Sequence, residues 1–279
     1  WAYLAVTGID DKLFGAPVCQ QNVEAALHWM LQEFTIDADR IYLVGFSMGA
    51  GVASNFAARH RDPHDLMIAA IGCVAGSFDW SMTWLLDPSV QPWLSNAWNF
   101  GGPPAPTYFA YQRSSGLFFD PTTYPPPVGL NLGLVAMGRN LHGTPAYLAW
   151  DVGDTIAYLP AQSGALQAML AGLGDTVAAH PVTGTLHPVT GQPATHSWAV
   201  LDEADLFSFL APHTAVRQPA SFVAQLDRNS RVSWASVRQR TAGAFSWLEG
   251  DADAGSGTLE LWGTVNAAEV GVALDEAGL

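Results

Sequence analysis

Five residues have the types and spacing of a nucleophile turn: Gly45, Phe46, Ser47, Met48 and Gly49. A G-x-S-x-G run between a strand and a helix holds serine on a sharp, strained turn and lifts its hydroxyl above the strand end. Side chains two residues to either side would collide there, so both Gly45 and Gly49 are expected to be required. The same turn sets the Met48 N–H at a helix start, where unpaired donors and the helix dipole favour an oxyanion. Five residues are a weak pattern alone. Here an apolar run (40–46, RIYLVGF) precedes them, and a small-residue run with Ala50, Gly51, Ala53, Ala57 and Ala58 follows.

Serine needs a base to react near neutral pH. After such an elbow the chain order is serine, acid, histidine. Of the eight histidines, His28 precedes Ser47, and His60 and His64 follow it too closely. His142, His180, His187, His196 and His213 remain. His196 is the expected base, because it ends an irregular loop before a helix; His187, in the same loop, is second. Asp151 and Asp154 both follow the run 146–150, and Asp154, farther along the loop, is favoured over Asp151. Either could hold the imidazole tautomer and stabilise the imidazolium.

The run from Asp37 to Ala50 (DADRIYLVGFSMGA) resembles the α/β-hydrolase fold. Within it, the chain resembles feruloyl-esterase-like and polyhydroxyalkanoate-depolymerase-like esterases and prolyl-oligopeptidase-like hydrolases. Those families often write D-x-x-R-I-Y-L-x-G-x-S-M-G-G, and Ala50 replaces the last glycine here. Their acid often stands in H-G-x-x-D; the matching run from Trp150 to Asp154 carries the acid to Asp154, with Asp151 in the glycine slot. Their histidine often reads G-H-x-W, matched by His196 and Trp198 after Thr195. The resemblance covers roughly residues 1–212 and implies a triad of Ser47, Asp154 and His196, with Met48 in the oxyanion hole. A group of large bacterial hydrolases with a C-terminal β-sandwich is similar in layout.

These residues need a scaffold. Residues 3–6 read as a buried strand. Val23, Ala26, Leu27, Met30, Leu31 and Phe34 recur at helical spacing over 20–35. Strands are expected at 40–46, 67–75, 146–150 and, more weakly, 176–182, and helices at 48–60, 159–173 and 199–210. Strand alternating with helix implies an open, mostly parallel sheet flanked by helices. Residues 77–143 differ: tryptophans, two proline clusters and only Asp79, Asp87, Arg113, Asp120 and Arg139 as charges. They read as an insertion with short helices. Its aromatics either line an apolar acyl site or form the insertion's own core. Beyond 213, runs at 221–227, 231–238, 243–248, 258–265 and 269–274 suggest a small all-β domain over 213–279, after a catalytic domain over 1–212.

The chain has 279 residues, 49% of them apolar and only 13% charged, which excludes a disordered chain or a charged coiled coil. A net charge of −14, with Lys12 as the one lysine, argues against nucleic acid and anionic membrane surfaces as partners. No apolar stretch reaches the ~18 residues of a spanning helix. Cys19 and Cys73 are expected as buried free thiols; a bond between them would favour an exported protein. Neither has zinc-ligand spacing, and the mechanism calls for no metal or organic cofactor. Oligomeric state and compartment are not readable.

Three functions follow as expectations. The first is a serine hydrolase of small or polymeric carboxylic esters, the second a peptidase with the same triad. The third is a non-catalytic binding module, against which an intact serine, aspartate and histidine argue. The fold resembled has several strands before the elbow strand, and an early loop supplies its second oxyanion donor. Trp1 is therefore expected to be internal to a longer protein, and the chain by itself weakly active or inactive. No closing strand is evident over 275–279.

Overall fold

The computed structural model describes residues 1–6, 14–105, 107–118 and 137–279. Helix α1 (Pro17–Glu33) starts on a proline, whose missing N–H costs nothing in a first turn. Its stripe of Val23, Leu27 and Leu31 packs on the main core. Strand β1 (Tyr42–Phe46) runs into α2 (Met48–Arg59), and β2 (Ala70–Val74) follows. Three short helices come next: α3 (Trp80–Leu86), α4 (Gln91–Leu94) and α5 (Tyr108–Gln112). Then β3 (Ala146–Asp151), α6 (Leu159–Gly172), β4 (Val177–Val182) and α7 (Glu203–Leu210) complete the α/β part.

The four strands form one parallel sheet in the order β1-β2-β3-β4. Every residue of β2 and β3 is buried. Ile71, Cys73, Leu148 and Trp150 pack with α1, α2 and α6, whereas Ala70, Tyr147 and Ala149 pack with Leu206 and Leu210 of α7. Helices on both faces explain why these strands read as unbroken apolar runs.

One expected strand is absent. Residues 1–6 are largely exposed and pair with no strand among the described residues; Tyr3 is 90% exposed. Trp1 instead rests its ring on Tyr42 and Phe207, 5.5 and 5.3 Å between centroids. An apolar run becomes a strand only with a hydrogen-bonding neighbour, and the outer edge of β1 faces a groove here. That groove, about 940 Å³, is lined by residues 1–6, α1 and β1.

The described part of 77–143 contains α3 to α5. Phe14, Trp80, Leu94, Phe100 and Tyr111 form a core of their own, with Met48 against it. The second proline cluster (121–127), with Asp120, lies outside the described residues.

Past 213, β5 (Ser221–Leu226), β6 (Ser230–Val232), β7 (Ala235–Gln239), β8 (Ser246–Asp253), β9 (Thr258–Val265) and β10 (Ala267–Val272) make two antiparallel sheets, β5-β8-β9 and β10-β7-β6. Both share a core around Phe222, Trp234, Val237 and Leu248. The run read as one strand at 231–238 is a hairpin: Val232 pairs with Ala235, and Ser233 turns at φ 49°. The run 243–248 becomes a strand only from Ser246 and continues to Asp253. Asp227 ties this region to the α/β part, accepting from Arg59 at 3.0 Å and Arg113 at 2.7 Å. Both cysteines are free and buried. Among the described residues, no helix is long and apolar enough to cross a membrane.

Candidate active site

Ser47 sits between β1 and α2 at φ 52°, ψ −117°. A non-glycine residue held there costs roughly 1–3 kcal/mol and persists only where its surroundings enforce it. They do: Ser47 N–H donates to Val74 O at 2.8 Å, and Ser47 O accepts from Ala50 and Ser77 N–H at 3.1 and 3.2 Å. A Cβ on Gly45 would lie 2.1 Å from Gly49 O, so the first glycine is obligatory. One on Gly49 would meet nothing within 4 Å. The expected symmetry of the two glycines therefore fails, because the turn crowds the strand side only. Met48 is the first residue of α2, so its N–H is among the helix's unpaired donors.

His196 arrives on the loop after β4. Its Nε2 lies 3.1 Å from Ser47 Oγ, and its Nδ1 lies 2.9 Å from Asp154 Oδ2. The carboxylate accepts, so Nδ1 carries the hydrogen and Nε2 faces the serine hydroxyl as acceptor. The Asp154 side chain is fully buried and the His196 side chain 18% exposed. Asp154 Oδ1 also accepts from Ile156 N–H at 2.7 Å, which fixes the carboxylate. The Phe46 ring packs on the imidazole, 4.9 Å between centroids.

Asp151 has a different task. Its Oδ2 accepts from the Thr185 N–H and hydroxyl at 2.7 and 2.6 Å, and its Oδ1 from Gly153 N–H at 2.8 Å. Burial pushes this carboxyl up, but hydrogen bonds from Thr185, Gly153 and Gly184 outweigh it and hold the group below the usual range. It staples the loop after β4 to the end of β3.

The other histidines face elsewhere. His142 pairs with Asp175 at 2.9 Å, and His180 stacks on Tyr147. His187 Nδ1 accepts two backbone N–H groups of its own exposed turn. Among the described residues, only His196 hydrogen-bonds Ser47 Oγ. The contribution of Phe46 was not legible beforehand; its place beside the serine in the motif was the only signal.

The serine, acid and histidine follow β1, β3 and β4, at the carboxyl ends of parallel strands and in the chain order of that elbow. The fold is the α/β-hydrolase fold. The groove beside β1 reaches Met48 and Gly49, but Ser47, Asp154 and His196 do not line it.

No protein-family model matches the chain. No curated protein matches it either. Among solved structures it is similar to an acylaminoacyl peptidase of Pyrococcus horikoshii, at 17% identity and TM-score 0.48, over 71% of this chain and 28% of that one. It is similar to esterases of Rhizomucor miehei at 17% identity and TM-score 0.46, over 70% and 61%. A carboxylesterase of Lactobacillus plantarum gives 14% identity and TM-score 0.43, over 70% and 66%. The chain thus spans about a quarter of the length of the peptidase.

Proposed function

We propose that this α/β-hydrolase-fold chain is a serine hydrolase of carboxylic esters, with Ser47 as nucleophile, His196 as general base and acid, and Asp154 as the group that orients His196. One observation carries the reading: a serine on a strained turn, 3.1 Å from an imidazole whose far nitrogen is 2.9 Å from a buried carboxylate. In the first half-reaction Ser47 Oγ attacks the ester carbonyl carbon and His196 Nε2 takes the hydroxyl proton. The carbonyl oxygen gains negative charge facing Met48 N–H, one donor of which is worth ~10²–10³ in rate. Collapse breaks the bond to the alcohol, which leaves with the proton from His196. Water then attacks the acyl carbon as His196 takes its proton; the bond to Ser47 Oγ breaks, His196 returns the proton to Ser47, and the acid departs.

Esters are favoured over peptides by the charges near the site. A peptidase that acts at a chain terminus anchors that terminus on a free charged or polar group. In the described part of 77–143, Asp79 caps α3, Arg113 pairs with Asp227, Arg139 lies over the Trp247 ring and Asp87 holds Ser89. The aromatic cluster beside Met48 is uncharged.

Rates on p-nitrophenyl acyl esters and aminoacyl-anilides test the substrate class. The expected result is ester turnover exceeding anilide turnover, abolished by Ser47→Ala. Faster anilide cleavage assigns the site to peptides instead.

A further inference from the structure

Away from Ser47, α1 and the segment joining α2 to β2 bring three potential metal ligands together, with His60 beside one of them. Glu24 and His28 lie four residues apart on α1, hence on one face. One ligand atom from each of Glu24, His28 and Asp65 falls within 4.8 Å of the other two. His28 Nε2 is 3.6 Å from Asp65 Oδ1. Two ligands on a tetrahedral zinc ion, each bonded at ~2.0–2.2 Å, stand about 3.3–3.5 Å apart.

His60 supplies an independent observation. Its side chain is only 7% exposed and faces Glu24, with Nε2 3.8 Å from Glu24 Oε2. That nitrogen has no hydrogen-bond partner among the described residues. The ring is fixed on its other side: Nδ1 lies 2.8 Å from Phe56 O, and the ring stacks on Phe56 at 3.7 Å between centroids. A carbonyl oxygen only accepts, so Nδ1 carries a hydrogen, and Nε2 is the ring atom left facing Glu24. An imidazole that donates its second N–H to a backbone carbonyl is also the usual arrangement of a metal-ligating histidine. Neighbouring Arg59 does not oppose a cation strongly, because Asp227 neutralises it at 3.0 Å.

We propose that Glu24, His28 and Asp65, with His60 bordering Glu24, bind a divalent first-row transition ion, Zn²⁺ foremost, which clasps α1 to the α2–β2 connection. Imidazole nitrogen with carboxylate oxygen suits Zn²⁺ better than Ca²⁺, which takes six to eight oxygens. His28 and Asp65 are nearly half exposed, which leaves a path for the ion and room for water in its shell.

The test is calorimetric titration of chelator-stripped protein with Zn²⁺ and, separately, Ca²⁺, with thermal melting alongside. His28→Ala and Asp65→Asn alter exposed side chains and leave the core untouched. One Zn²⁺ per chain is expected, with Tm raised by the metal and Kd weakened at least tenfold in either variant. His64→Ala, which removes a histidine paired with Glu276 instead, should bind as the parent does. Absence of stoichiometric Zn²⁺ binding, unchanged affinity in His28→Ala and Asp65→Asn, equal loss in His64→Ala, or an equal response to Ca²⁺ would each overturn the assignment.

Discussion

A Cβ placed on Gly45 would sit 2.1 Å from the carbonyl oxygen of Gly49, whereas a Cβ on Gly49 has open space around it. The turn that presents Ser47 is therefore enforced from the strand side. Gly45→Ala is expected to displace the elbow, lower stability by about 1–3 kcal/mol and slow ester turnover at least a hundredfold. Gly49→Ala should keep turnover within a few-fold and gain up to about 1 kcal/mol, since alanine suits a helix better than glycine. Denaturant unfolding and ester kinetics on the two variants check this asymmetry.

The two aspartates past β3 should separate kinetics from stability. Asp154→Asn is expected to leave the melting temperature nearly unchanged and to lower kcat by roughly 10⁴, because the amide favours the wrong imidazole tautomer. Asp151→Asn should do the reverse. It removes acceptor capacity for Thr185 and Gly153, costing about 1–3 kcal/mol, with kcat lowered by less than tenfold. The opposite ranking would move the acid role to Asp151.

Asp151 also sets an acid limb on stability. Unfolded, its carboxyl titrates near ~3.9; folded, it is held lower. The unfolded chain then binds the proton more readily, so the contribution is complete above about pH 4 and is lost as pH falls through the folded value. Unfolding free energy measured between pH 3 and 6 should fall less steeply at the acid end in Asp151→Asn than in the parent.

Asp227 is the counter-charge for Arg59, whose side chain is 4% exposed and whose guanidinium is lowered to about 10, chiefly by burial. Asp227→Ala strands that charge and also frees Arg113. A loss of about 3–5 kcal/mol is expected from chemical denaturation, since an unpaired buried charge costs far more than the pair contributes. A loss below 1 kcal/mol would mean that water reaches Arg59.

Much of the architecture was legible in the sequence because periodicity reports burial. The α1 stripe and the unbroken runs of β1 to β3 announce a parallel sheet covered on both faces. The order that the elbow imposes left five histidines and both Asp151 and Asp154; place on the loop then favoured His196 and Asp154, which lie 2.9 Å apart. Residues 3–6 misled, since an apolar run does not disclose whether a neighbouring strand exists. The hairpin at Ser233 was hidden, because serine carries no mark of a left-handed turn. Long-range pairs such as Arg59 with Asp227, 168 positions apart, leave no local trace, and neither does the gathering of His60 and Asp65 around α1.

The most direct measurement is labelling by a fluorophosphonate probe, followed by peptide mapping. A Ser47–His196–Asp154 triad predicts one phosphonylated residue, Ser47, with labelling abolished by Ser47→Ala and slowed at least a thousandfold by His196→Ala. Absence of label on Ser47 in the parent, or labelling that is unaffected by His196→Ala, would contradict it.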